Sequence, residues 1–168
     1  MTNCNNVIVD TGCANLSSVK FAIERLGFSA IITDDIEQIK AADKVIFPGV
    51  GSAKHAMANI ISKDLVETLQ SLTQPVLGFC LGMQLMTESS TEGNEEVIID
   101  CLGMIPTKVK SLDAQGNRLP HMGWNTLTSV DSHPVLKGIN VEDYFYFVNS
   151  LAAPIREYTF ASLSLTHN

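Results

Sequence analysis

Positive charge is scarce in this chain, with eleven lysines and arginines against eighteen aspartates and glutamates in 168 residues. Nucleic-acid binders neutralise phosphates with clustered Lys and Arg, so the formal net charge of −7 argues against that class. Long hydrophobic runs are missing too, and nothing approaches the length of a membrane span. The opening Met1-Thr2-Asn3-Cys4-Asn5-Asn6 has neither the charged nor the apolar region of a signal peptide, which sets the expectation of a cytoplasmic protein. The four cysteines (Cys4, Cys13, Cys80, Cys101) show no paired spacing, so free thiols are expected rather than a disulfide framework. No C-x-x-C or H-x-x-x-H spacing occurs, and neither a metal centre nor a cofactor is expected.

What remains is an ordinary globular composition, 45% hydrophobic and 17% charged, at a length that suits one domain spanning 1–168. Val7–Asp10 is a short β-branched strand. Asn15 is a plausible cap for a helix from Leu16 to Leu26, which Gly27 ends. Strands at Ala30–Ile32, Lys44–Phe47 and Val76–Phe79 alternate with helices at Ile36–Ala41, from Ser52, at Asp64–Leu72 and through Glu88. Such alternation predicts an α/β fold, an open and mostly parallel sheet with helices on both faces. From Gly93 the character changes. Ile98-Ile99, Met104–Pro106, Lys108–Lys110, Leu127–Val130 and Tyr144–Val148 read as a strand-rich second half.

Between Pro75 and Met86 an apolar run ends in Gly78-Phe79-Cys80-Leu81-Gly82 and passes into a helical pattern. That is the cysteine version of a nucleophile elbow, in which the reactive residue sits on a tight strand-to-helix turn. Gly78 and Gly82 fall where a side chain would collide with the turn or with the crossing helix. The sulfur would lie at a helix N-terminus, where unpaired amides favour a thiolate, and the Leu81 N–H would face an oxyanion. A structural cysteine ending a buried strand is the alternative, and glycine on both flanks favours the nucleophile.

Pro48-Gly49-Val50-Gly51 ends the third strand, at the edge where ligands bind in open α/β sheets. Alone it could be an ordinary tight turn. Paired with a cysteine elbow one strand later it supplies a second amide donor, at Val50, and the two together point to acyl transfer through a thioester.

These motifs carry a resemblance. PGVG, GFCLGMQLM followed by Glu88 and Glu92-Gly93, Pro120-His121-Met122-Gly123-Trp124-Asn125 and Tyr146-Phe147-Val148-Asn149-Ser150 resemble the class I (triad) glutamine amidotransferases, specifically the glutaminase subunits of imidazole glycerol phosphate synthase. The likeness runs from about Val7 to about Thr159. It implies hydrolysis of L-glutamine to glutamate and ammonia in histidine biosynthesis, with ammonia passing to a (β/α)8-barrel cyclase subunit in a heterodimer. It also implies that Cys80 is the nucleophile, that Val50 and Leu81 give the oxyanion-hole amides, and that Gly49, Gly51 and Gln84 contribute to the glutamine site. Ser150 and Leu151 match positions whose backbone meets the glutamine α-carboxylate. His121, Met122, Gly123, Trp124 and Asn125 fall where the family touches its cyclase, although a core role for Trp124, the single tryptophan, fits the residue type as well.

The sequence also departs from the family. A thiol nucleophile needs a base and the base an orienting carboxylate. The resemblance places these in an F-H-P-E segment that these 168 residues do not contain. His55, His121, His133 and His167 each read better as exposed or structurally satisfied. Family members commonly carry histidine and tyrosine where Asn149 and Leu151 stand. The resulting expectation is a chain shortened at its C-terminal end, weakly active or inactive, with unpaired sheet edges that promote self-association. A non-catalytic structural or regulatory partner of the cyclase is the competing reading.

Overall fold

The computed structural model describes residues 4–12, 15–92, 97–113 and 118–163. Its contacts divide it into two compact units, Met1–Val109 and Lys110–Asn168. Cys13, Gly93 and His167 lie outside the described residues.

The first unit runs β1 (Asn6–Val9), α1 (Leu16–Arg25), β2 (Ala30–Thr33), α2 (Ile36–Lys40), β3 (Lys44–Phe47), α3 (Ala53–Ser62), α4 (Val66–Gln70), β4 (Val76–Gly78), α5 (Leu81–Met86), β5 (Thr87–Thr91), β6 (Ile98–Asp100) and β7, which begins at Ile105 and ends at Ser111. Strands β2-β1-β3-β4 form one sheet in that order, all parallel. All four residues of β1 are buried. Successive side chains of a strand point to opposite faces, so the sheet is covered on both faces at β1, while Ile31 of β2 and Leu77 of β4 are exposed. The core gathers Val7, Val9, Val45 and Phe47 from the strands with Ile39, Ile60, Leu65, Leu69, Leu81 and Leu85 from the helices and their connections.

Local chemistry accounts for the helix starts. The side chains of Asn15, Asp35 and Ser52 accept hydrogen bonds from the Ser18, Gln38 and His55 amides, each satisfying a donor that the helix itself leaves unpaired. Past the end of α3, Lys63 Nζ donates to the Asp10 carbonyl at 3.0 Å and pairs with Asp34 at 2.8 Å, tying the helix to the carboxyl ends of β1 and β2. The hydrogen bond from Lys63 holds the Asp34 carboxyl below its ordinary range.

The expected helix through Glu88 is corrected here: α5 stops at Met86 and Thr87–Thr91 is a strand. Thr87 Oγ1 donates to the Gln84 carbonyl at 2.7 Å, closing the helix end. The following residues then pair antiparallel with β6 and parallel with β7. The expected strand pieces Met104–Pro106 and Lys108–Lys110, apart from Met104, are parts of the single strand β7, and the helix expected at Asp64–Leu72 spans only Val66–Gln70.

The second unit contains β8 (His121–Thr126), β9 (Ser129–Val130), a 3-10 turn at Pro134–Leu136, β10 (Tyr144–Asn149), β11 (Leu151–Ala152) and β12 (Ala161–Ser162). Strands β8 and β10 pair antiparallel in register from Tyr144↔Thr126 to Asn149↔His121. Leu151 and Ala152 pair with Ser111 and Lys110, and β12 pairs with β9. The strand expected at Leu127–Val130 is thus only two residues long, whereas the PHMGWN motif, read for its role alone, is a strand. No helix among the described residues is long and apolar enough to cross a membrane.

Candidate active site

Cys80 sits between β4 and α5 at φ 52° and ψ −116°, a left-handed backbone that non-glycine residues rarely adopt. It is exposed. Such a residue stores roughly 1–3 kcal/mol of strain that the surrounding packing must hold, and this is the strained strand-to-helix turn that the motif predicts.

Three glycines account for how that packing is possible. A Cβ on Gly82 would lie 1.6 Å from the Phe47 carbonyl oxygen, and one on Gly78 would lie 2.6 Å from Met86 Sδ. A Cβ on Gly49 would come within 2.9 Å of both the Gly82 nitrogen and Leu81 Cβ. None of these contacts tolerates a side chain. The Gly49–Gly51 turn is therefore seated directly on the first residues of the helix that follows Cys80, and Gly51 takes φ 93° as it leaves the turn. Val50 is exposed beside it.

As the first residue of α5, Leu81 has an N–H without an intrahelical acceptor, while its side chain is buried in the core. The Gly82 N–H turns back to the Phe79 carbonyl at 2.8 Å. One turn on, the Gln84 N–H donates to the Cys80 carbonyl at 3.1 Å, and its side-chain oxygen accepts from Ser90 Oγ at 3.4 Å. The structure thus brings Gly49, Val50, Gly51, Cys80, Leu81 and Gln84 together in the first unit.

The other sequence-derived residues belong to the second unit. The Ser150 carbonyl accepts from the Leu112 N–H at 2.9 Å, and the Leu151 carbonyl from the Asn149 side-chain amide at 3.1 Å. The five residues from His121 to Asn125 divide by strand parity. Met122 and Trp124 are exposed, whereas the His121 ring and the Asn125 side chain hydrogen-bond each other at 2.7 Å. Across the ribbon Tyr146 opposes Trp124, with ring centroids 5.4 Å apart edge to face. Of the remaining histidines, His133 accepts from the Val135 amide, and His55 lies in the first turn of α3.

One residue near the site carried no separate reading from sequence. The Glu92 carboxylate accepts from the Ala53 N–H and, at 3.5 Å, from the Lys54 N–H, at the helix start that follows the glycine turn. No local pattern announces a bond between residues 39 apart.

Comparison with known proteins agrees with this geometry. Residues 6–160 match the family described as glutamine amidotransferase class-I. The chain belongs to that family. As a class-I glutamine amidotransferase it is 69% identical to the imidazole glycerol phosphate synthase subunit HisH of Colwellia psychrerythraea, over 96% of this chain and 77% of that protein. It is 58% identical to the subunit of the same name from Idiomarina loihiensis, over 94% and 78%. Its fold is similar to a crystal structure of a glutamine amidotransferase at TM-score 0.70 and 17% identity, covering 94% of this chain and 79% of that one.

Two outcomes follow for this amidotransferase. Glycine ordinarily costs about 0.5–1 kcal/mol relative to alanine, but at the left-handed position 80 it relieves strain. Cys80→Gly is accordingly at least as stable as Cys80→Ala in thermal or urea melts. The second outcome concerns Cys101, whose thiol burial pushes up to about 11. Near pH 8 it is ionised to only roughly one part in a thousand, and its reactivity rises about tenfold per pH unit toward pH 11. Peptide mapping after iodoacetamide treatment at pH 8 therefore finds Cys80 modified well before Cys101.

Proposed function

We propose that this chain is the glutaminase subunit of an imidazole glycerol phosphate synthase. The observation that carries this reading is the seating of Gly49 against Leu81 and Gly82, which sets a glycine-flanked amide beside the strained Cys80 turn. In this reading Cys80 Sγ attacks the side-chain carbonyl of glutamine. The amides of Val50 and Leu81 receive the negative charge of the tetrahedral adduct, whose collapse breaks the C–N bond. Ammonia leaves with a proton supplied by an acid. Water then attacks the Cys80 thioester, releases glutamate and restores the thiol. Gly49, Gly51 and Gln84 hold the substrate.

Proton transfer in this scheme needs a base and a carboxylate to orient it. The family resemblance places both in an F-H-P-E segment absent from these 168 residues. A polypeptide of these residues alone is thus expected to form the covalent adduct far more readily than it turns over. Loss of a triad base costs on the order of 10³-fold or more in kcat. The test incubates the chain with a diazoketone analogue of glutamine and measures ammonia release from glutamine in parallel. Labelling at Cys80, abolished in Cys80→Ala, supports the reading; labelling that bypasses Cys80, or none, sinks it and favours the non-catalytic partner role.

The relatives named as synthase subunits imply a second subunit, which we take to be the (β/α)8-barrel cyclase that accepts ammonia, in a cytoplasmic heterodimer. Its docking surface in the second unit is the outward face of the β8–β10 ribbon, where Met122, Trp124, Tyr144, Tyr146 and Val148 are all exposed. A contiguous apolar face of this kind is the mark of an interaction site, and aromatic anchors dominate such energetics. Trp124→Ala is expected to weaken the complex with the cyclase by at least about tenfold in titration calorimetry. Val135→Ala, exposed but outside the ribbon, leaves the affinity unchanged. Equal affinity for wild type and Trp124→Ala would refute the docking surface.

A further inference from the structure

Ser90 is a polar residue in a place that suits an apolar one. It lies in β5, paired with Ile99 of β6 on one side and Val109 of β7 on the other, and it is wholly buried. Apolar and β-branched residues usually fill such positions, and a buried hydroxyl is costly unless it is hydrogen-bonded. The Ser90 Oγ–H donates to Gln84 Oε1 at 3.4 Å. That bond links the hydroxyl to the side chain assigned above to holding glutamine.

The backbone of Gln84 is fixed without it. Its N–H donates to the Cys80 carbonyl at 3.1 Å, and its own carbonyl accepts from Thr87 Oγ1 at 2.7 Å. The side chain is a separate matter, because a glutamine keeps three torsions that the helix leaves free. Here the fold supplies a restraint: α5 runs into β5 without a loop and packs against it, so that a strand residue meets a helix residue six positions earlier. Which way the amide points matters, since its oxygen only accepts and its nitrogen only donates. A hydroxyl proton on Oε1 selects one arrangement, in which Oε1 keeps a second lone pair and both Nε2 hydrogens stay available to a ligand. Pre-organisation of this kind lowers the ordering cost of binding.

We propose that Ser90 is a positioning residue for the glutamine site, holding the Gln84 side-chain amide in its substrate-binding orientation from the buried strand β5. The proposal rests on the reading of Gln84 as a residue that holds glutamine. It deepens that reading with a residue that does not meet the substrate, for Ser90 is 0% exposed.

The test follows labelling of Cys80 in the intact chain by the diazoketone analogue of glutamine over a range of concentrations. The concentration giving the half-maximal rate (KI) is thereby separated from the limiting rate (kinact). Ser90→Ala is expected to raise KI about fivefold and to leave kinact within about twofold, because recognition is impaired and the elbow is not. Iodoacetamide has no amino-acid portion for Gln84 to hold, and it alkylates Cys80 at the wild-type rate. A double-mutant cycle then distinguishes positioning from direct contact. Gln84→Ala alone raises KI about tenfold, and adding Ser90→Ala raises it by less than about a further twofold, since no amide remains to orient. Should Ser90→Ala fail to fold, Ser90→Cys, close in size but a weak donor, takes its place with the same expected rise. A wild-type KI in the Ser90 variant, a full second rise in the double variant or a slowed iodoacetamide reaction overturns the positioning role and leaves the acyl-transfer reading intact. A wild-type KI in Gln84→Ala overturns the assignment of Gln84 and the proposal with it. A wild type that is not labelled at Cys80 overturns the acyl-transfer reading as well.

Discussion

The Phe47 carbonyl is the point on which the first unit turns. It accepts the Phe79 N–H at 3.1 Å, extending the pairing of β3 with β4 to the residue before Cys80, and its oxygen occupies the space that a side chain at position 82 would need. One peptide group thus sets both the height of Cys80 above the sheet and the closeness of the helix that follows. With that contact in place the chain has to turn sharply at Cys80, and the left-handed backbone there is the geometric result. A buried core of branched side chains beneath the turn supplies the stability needed to hold it.

Because the same carbonyl belongs to the strand that leads into Pro48-Gly49-Val50-Gly51, the glycine turn and the turn that carries the Cys80 sulfur are not independently placed. They share a strand end and touch through Gly49 and Gly82. The proposed acyl-transfer site would draw on this shared placement, because its two backbone segments cannot shift independently.

Much of this was legible in the sequence where the signals were local. The Asn15 cap, the Gly27 stop, the β-branched runs of β1 and β3 and the two glycine motifs each carry their own stereochemical reason, and the structure agrees with them. The failures share a cause. Thr87–Thr91 has the polarity of an exposed helical turn, and only pairing with residues 98–100 and 105–109 makes it a strand. PHMGWN holds a glycine and an asparagine, poor strand formers, and becomes β8 because the aromatic run Tyr144–Asn149 aligns with it. Glu92 likewise owes its position to a partner 39 residues away. Local propensity cannot report a bond whose second member lies in another element.

The β8–β10 ribbon adds a property of a different kind. Its outward row (Met122, Trp124, Tyr144, Tyr146, Val148) and its inward row, with the His121–Asn125 pair, interleave one residue at a time along both strands. Evolutionary pressure on the two rows therefore comes from different sources, and substitutions among relatives ought to accumulate with a two-residue rhythm. Outward positions would drift with whatever meets the proposed docking surface, and inward ones with the half-buried side chains around the His121–Asn125 pair.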